Sequence, residues 1–225
     1  MFNFFKIINH LYLYSFKKFL FVKNFNFKYI KFNWEKTNLS RLKIINYYLS
    51  KSISKKYLEI GCDTNLIFKS VKANLKIGVD PARGGNRRCT SDLFFKNNTI
   101  FFDVIFIDGL HEYTQIRKDL LNSLKFLKNN GCIIIHDLIP RNWLEEHVPR
   151  LSSTWCGDIW KISYEIKKAK NLTFELLLVD FGVGIVKKIN NNYYLPKIDF
   201  GQKKFNFFYK NYKKLPLKKY FNQYK

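Results

Sequence analysis

The stretch FDVIFIDGLHEYTQIRKDLLNSLKFLKNNGCIIIHD (102–137) carries the reading of the fold. Its opening, FDVIFID, is rich in β-branched and aromatic side chains and apolar at both parities, the pattern of a strand covered on both faces. YTQIRKDLLNSLKFLKNNG (113–131) switches to helical spacing, with Ile116, Leu120, Leu124 and Leu127 in one stripe and Gly131 placed as a C-terminal stop. CIIIHD (132–137) returns to a continuous apolar run. Both predicted strands end in an acid, Asp108 and Asp137, and the first is followed by Gly109 and His111. None of these residues suits a strand interior, so they mark the rim of a site.

The alternation continues outward. NLSRLKIINYYLSK (38–51) has helical spacing, with Leu42, Ile45 and Leu49 on one face. KYLEIG (56–61) is a short buried strand stopped by glycine, LIFKSV (66–71) a helix, and LKIGVD (75–80) a second strand ending in an acid. RRCT (87–90) reads as a weak third strand, and SDLFF (91–95) opens a helix on a Ser-Asp cap. LTFELLLVDFGVGIVKK (172–188) reads as two strands about a Phe-Gly turn, one of them antiparallel. The expected fold is α/β: a doubly wound, mostly parallel sheet with a C-terminal antiparallel hairpin. Such sheets bind ligands beyond the carboxyl ends of their strands, at the topological switch point. Here those ends carry Glu59–Gly61, Asp80, Asp108 and His136–Asp137.

Gly61 after the first strand and Asp80 nineteen residues later fit a ligand with a ribose, whose hydroxyls Asp80 would bond. The loop GCDTN (61–65) has one glycine where a dinucleotide fingerprint has three, which counts against a pyrophosphate. Glu59 would also repel phosphate, and suits a cationic ligand such as an amino acid head group with a sulfonium. LEIG (58–61), GVDP (78–81), SD (91–92) and FDVIFIDG (102–109) together resemble the class I S-adenosylmethionine-dependent methyltransferases. With FIDGLHEY, GCIIIHD, WCGDIWK (155–161) and VDFGVG (179–184), the chain is similar to a bacterial subgroup related to sugar and polysaccharide O-methyltransferases. Asn65 departs from that pattern, which usually has a second glycine there.

The resemblance implies a seven-stranded Rossmann-like sheet. Residues 38–189 would form the methyltransferase domain, between a basic aromatic extension (1–37) and a basic tail (190–225). It assigns Glu59 and Gly61 to the amino acid end of S-adenosylmethionine, Asp80 to its ribose and Asp92 to its adenine. In the family's sheet order the strands ending at Asp108 and Asp137 are neighbours about 4.8 Å apart. Two carboxylates that close would raise one pKa or recruit a cation. Related enzymes place a metal there, so Mg²⁺ held by Asp108 and Asp137, with His136 beside them, is an expectation. His111, three residues past Asp108, has an ordinary pKa of about 6.5, suited to accepting a proton at neutral pH. The resemblance makes it the general base, with Asp108 orienting it. In WCGDIWK, Trp155 and Trp160 would form a sugar platform with Asp158 and Lys161 bonding hydroxyls; otherwise the tryptophans are core and Asp158 caps a helix.

Composition limits the other classes. The net charge of +23 sits at the ends: +10 over residues 1–55, +8 over 190–225 and only +5 between them. One reading is composition alone, in a chain rich in Lys, Asn, Ile, Phe and Tyr; the other is an anionic partner, either a membrane surface or a polyanion. The opening MFNFFKIINHLYLYSFKKFLFV has no apolar run long enough to span a bilayer and no cleavage-site pattern, and reads as an element packed on the core or an interfacial helix. Four dispersed cysteines without a CxxC pair read as reduced thiols of a cytoplasmic protein, acting at the inner face of the membrane if the basic ends bind it. An RNA methyltransferase using the basic tails is an alternative, against which the core offers no nucleic-acid motif. An inactive cofactor-binding homologue is another, and an NAD-dependent enzyme comes last.

Overall fold

A computed structural model of the chain describes residues 28–32 and 39–219. The N-terminal amphipathic reading lies outside the described residues. Within them, α1 (Arg41–Ser50), β1 (Lys56–Ile60), α2 (Leu66–Ser70), β2 (Leu75–Val79), α3 (Ser91–Asn97) and β3 (Phe102–Ile107) follow one another. Then come α4 (Tyr113–Phe126), β4 (Leu127–Ile135), α5 (Trp143–Glu146), α6 (Trp160–Lys167), β5 (Leu172–Leu177) and β6 (Val183–Lys188). The chain continues with α7 (Phe205–Asn211) and the short β7 (Leu217–Lys218).

The strands form one seven-stranded sheet in the order β2-β1-β3-β4-β6-β5-β7. β2, β1, β3 and β4 are parallel neighbours, and β6 runs antiparallel to both β4 and β5. The doubly wound sheet with its C-terminal hairpin is therefore as expected. Side chains alternate between its faces. Val104 and Phe106 of β3 pack with Ile44, Ile45 and Leu49 of α1, while Ile105 and Ile107 pack with Ile116, Leu120 and Leu124 of α4. Each fully buried isoleucine or leucine contributes about 1.5–3 kcal/mol by leaving water.

Three local expectations are corrected. RRCT makes no strand: Arg87 forms a single bridge to Val79, and Thr90 caps α3 by accepting from Leu93 N–H, so Ser91 is already helical. The helix predicted over 113–131 ends at Phe126, because Leu127 already pairs with Phe102 of β3, and the ladder resumes at Cys132. Gly131 is therefore no helix stop; it lies in β4, where a Cβ would press on the Asp103 carbonyl at 2.7 Å. Of the two readings of the basic tail, docked or partly disordered, its described residues 190–219 fit the docked one. Phe205, Phe208 and Leu215 join the main core, and β7 extends the sheet beside β5.

Candidate active site

The carboxyl ends of β1, β3 and β4 open into one cavity of about 530 Å³. Glu59, Gly61, Asp108, His111, His136 and Asp137 line it, together with Arg41, Trp155 and Asp180. Gly61 closes β1 at φ +84°, and a side chain there would run into the Asp108 carbonyl. The first strand can turn this close to the third only with glycine.

Asp108 is the hub. Its Oδ1 lies 3.2 Å from His136 Nδ1 and 3.4 Å from His111 Nε2, and its Oδ2 accepts from Arg41 Nη1 at 3.2 Å. Burial alone would raise its pKa, but the charges of His136 and His111 and their hydrogen bonds hold it well below the usual carboxylate range. His111 Nδ1 donates to the Trp155 carbonyl at 2.7 Å, and Nε2 also lies 3.5 Å from Asp137 Oδ2. Burial depresses the His111 pKa, yet the hydrogen bond to Asp108 and the charge of Asp137 leave it raised above 6.5. His136 faces three acids, with Nδ1 at 3.2 Å from Asp108 and 3.3 Å from Asp137, and Nε2 at 3.4 Å from Asp180. Burial opposes its charge, but Asp137 and Asp108 raise its pKa well above 6.5. Arg41 Nη1 lies 2.8 Å from both ring nitrogens.

Glu59 is 1% exposed and accepts from Tyr57 Oη at 2.6 Å. Burial lifts its pKa from 4.5 to about 7, despite the lowering effect of the Tyr57 hydrogen bond. No surface lysine pairs with it among the described residues. The cavity thus holds an acid whose pKa is raised to about 7 beside a histidine–carboxylate cluster.

The other two predicted cofactor residues lie elsewhere. Asp80 accepts four backbone N–H groups, from Cys62 and Asp63 on one oxygen and from Ala82 and Arg83 on the other, at 2.8–3.1 Å. Burial raises its pKa, but those donors lower it below 3.8. They also fill the roughly four acceptor positions of a carboxylate, so Asp80 here braces the loop after β1. Asp92 sits on the first turn of α3, half-exposed and paired with Lys118 at 3.4 Å, away from the cavity. The WCGDIWK motif divides. Trp155 lines the cavity, whereas Trp160 is fully buried against Phe200, Phe207 and Phe208. Asp158 caps α4 rather than the helix that follows it, accepting from Tyr113 N–H at 2.7 Å, and pairs with Lys161 at 2.6 Å.

Arg41 and Asp180 are lining residues that the sequence reading did not name. Arg41 Nε lies 3.2 Å from Asp180 Oδ2, joining α1 to the β5–β6 turn across the cluster. Asp180 ends the apolar run LLLV (176–179), and β5 points the same way as β1, so the strand-end rule applied to the hairpin finds it. Arg41 leaves no such trace: it is one basic residue at the start of a helix.

For a metal, the ligand atoms of Asp108, His111 and Asp137 lie within 4.8 Å of one another, so His111 takes the place expected of His136. Mg²⁺ prefers six oxygens in near-octahedral array. A nitrogen in the trio, and a guanidinium 3.2 Å from Asp108, make this a poor match to Mg²⁺.

Among solved structures, an O-methyltransferase from Bacillus cereus in complex with SAH is 13% identical, with a TM-score of 0.48 over 69% of this chain and 84% of that one. A methyltransferase from Podospora anserina bound to SAH is 17% identical, with a TM-score of 0.45 over 71% of this chain and 97% of that one. Likeness at this level does not bear on chemistry. No curated protein matches the chain. Residues 59–138, which run from the buried acid of β1 past the strand-end acids of β3 and β4, match a family model described as a methyltransferase domain.

Proposed function

We propose that the chain is an S-adenosylmethionine-dependent O-methyltransferase that acts on a hydroxyl of a sugar or glycan-linked acceptor, with His111 as general base. The observation that carries this reading is His111 Nε2 set between Asp108 and Asp137 in the same cavity as Glu59 and Gly61. The match of residues 59–138 to a methyltransferase-domain model supports it. The cavity suits the cofactor's cationic end: Glu59 supplies negative charge on losing its proton, and Gly61 lets the ligand approach the backbone.

S-Adenosylmethionine supplies a methyl group activated by its sulfonium. The chain's own residues do the rest. Glu59 and Gly61 hold the amino acid end, and the Trp155 ring with Ser153 and Thr154 forms a wall suited to a polyhydroxylated acceptor. His111 Nε2 takes the hydroxyl proton as the oxygen attacks, and the Asp108 and Asp137 carboxylates stabilise the resulting imidazolium. Asp137 holds its place from a left-handed backbone conformation (φ +59°), strain of the kind that collects at functional sites.

Calorimetry with S-adenosylmethionine and with NAD separates the cofactor classes, and transfer of labelled methyl to sugar nucleotides and glycan extracts tests the acceptor. Failure to bind S-adenosylmethionine refutes the proposal. Full turnover by His111→Gln refutes the base.

A further inference from the structure

We propose that Trp155–Asp158 is a positioning device for His111: the Trp155 carbonyl selects the imidazole tautomer, and Gly157 and Asp158 are positioning residues that keep the carbonyl in place. The problem it solves is visible at the other ring nitrogen. Asp108 Oδ1 and Asp137 Oδ2, at 3.4 and 3.5 Å from Nε2, are both acceptors. Left to themselves they draw the single proton of a neutral imidazole onto Nε2, and a ring with that nitrogen protonated has no lone pair to offer the cavity. The Trp155 carbonyl, at 2.7 Å from Nδ1, is the competing acceptor. A proton held on Nδ1 frees the Nε2 lone pair, so the tautomer set by one nitrogen decides what the other can do.

Four contacts keep the carbonyl beside His111. Gly157, at φ +63°, lies so close to the His111 carbonyl oxygen that any Cβ would collide with it. Asp158 accepts the Tyr113 N–H at 2.7 Å, tying the segment to the first turn of α4, whose own N-cap residue, Glu112, makes no side-chain cap bond. At its other side, Cys156 N–H and Gly157 N–H both donate to the Glu145 carbonyl at 2.9 Å. Glu145 is itself fixed by Arg141, whose Nε lies 2.9 Å from its carboxylate. The Trp155 and His111 rings, 5.2 Å apart, complete the contact.

The catalytic half of this inference rests on His111 being the base; the tautomer does not. The test uses the full-length protein labelled with ¹⁵N-histidine, recorded at a pH where the ring is neutral and assigned by comparison with His111→Gln. The wild type should show a pyrrole-like Nδ1 and a pyridine-like Nε2. Gly157→Ala and Asp158→Ala should mix or reverse those shifts and lower kcat by about tenfold or more, with the cofactor KM held within about twofold. If Gly157→Ala does not fold, Asp158→Ala reports alone. A pyrrole-like Nε2 in the wild type, or variants that lose only thermal stability while tautomer and kcat persist, overturns the proposal. If the wild type transfers no methyl group, the function reading falls, and the ¹⁵N shifts still decide the role of the clamp.

Discussion

Glu59 offers a measurement of the cofactor reading that needs no acceptor. Burial holds its pKa at about 7 instead of 4.5. At pH 6 the free site is therefore about nine-tenths protonated. A bound ammonium or sulfonium group would return the carboxyl toward its ordinary value, and binding at pH 6 would release about 0.9 proton; at pH 8 it would release about 0.1. The same cycle makes binding about tenfold tighter at pH 8 than at pH 6. Calorimetric titration with S-adenosylmethionine, in pairs of buffers with different ionisation enthalpies, reads the proton directly. Glu59→Gln should abolish the release and flatten the pH dependence, which separates Glu59 from His111 and His136. Equal buffer dependence in wild type and Glu59→Gln, or binding at pH 6 with no proton released, refutes the assignment of Glu59 to a cationic group.

The same buried acid sets a folding linkage. Because the folded pKa is raised, the native state holds a proton that the unfolded chain gives up, so stability falls as pH rises from 4.5 to about 7 and is level above that. Urea unfolding at pH 5 and 8 should show this loss shrinking by about 3 kcal/mol in Glu59→Gln, with residual slope from Glu146 and Asp119, at about 7 and 6. Arg41→Ala leaves Asp108 and Asp180 facing His136 without their guanidinium; at 26% exposure of that side chain the cost is about 1–2 kcal/mol by urea unfolding, and no measurable loss would show the pair to be screened. Because the His111 pKa is raised, kcat should climb through an acid limb centred above pH 6.5, and His111→Asn should lose about a hundredfold or more along with that limb.

The parts of the fold legible in sequence were those in which one face or one rim dictated residue type. FDVIFID is apolar at both parities because α1 and α4 cover opposite faces of β3. The acids after β2, β3 and β4 were readable because each closes an apolar run at the strand's carboxyl end. RRCT failed because one bridging residue is not a ladder. The helix end at Phe126 was hidden because Leu127 completes the apolar stripe of α4 while already pairing with Phe102 in β3. At the site, Asp80 and Asp92 had the right spacing, but backbone donors and Lys118 engage them. Arg41 reaches the cluster only through tertiary packing, which no local pattern encodes.

The shortness of the link between α4 and the ladder of β4, only residues 128–131 between Leu127 and Cys132, bears on how the site is lost as well as how it is built. His111 stands just ahead of α4, and His136 and Asp137 just past β4, so the two banks of the cluster are the ends of one continuous helix–strand unit. With so short a link to absorb a local opening, fraying of α4 loosens both banks together. Amide exchange across 113–135 should follow a single opening free energy, and proton-transfer competence should disappear with it in one step.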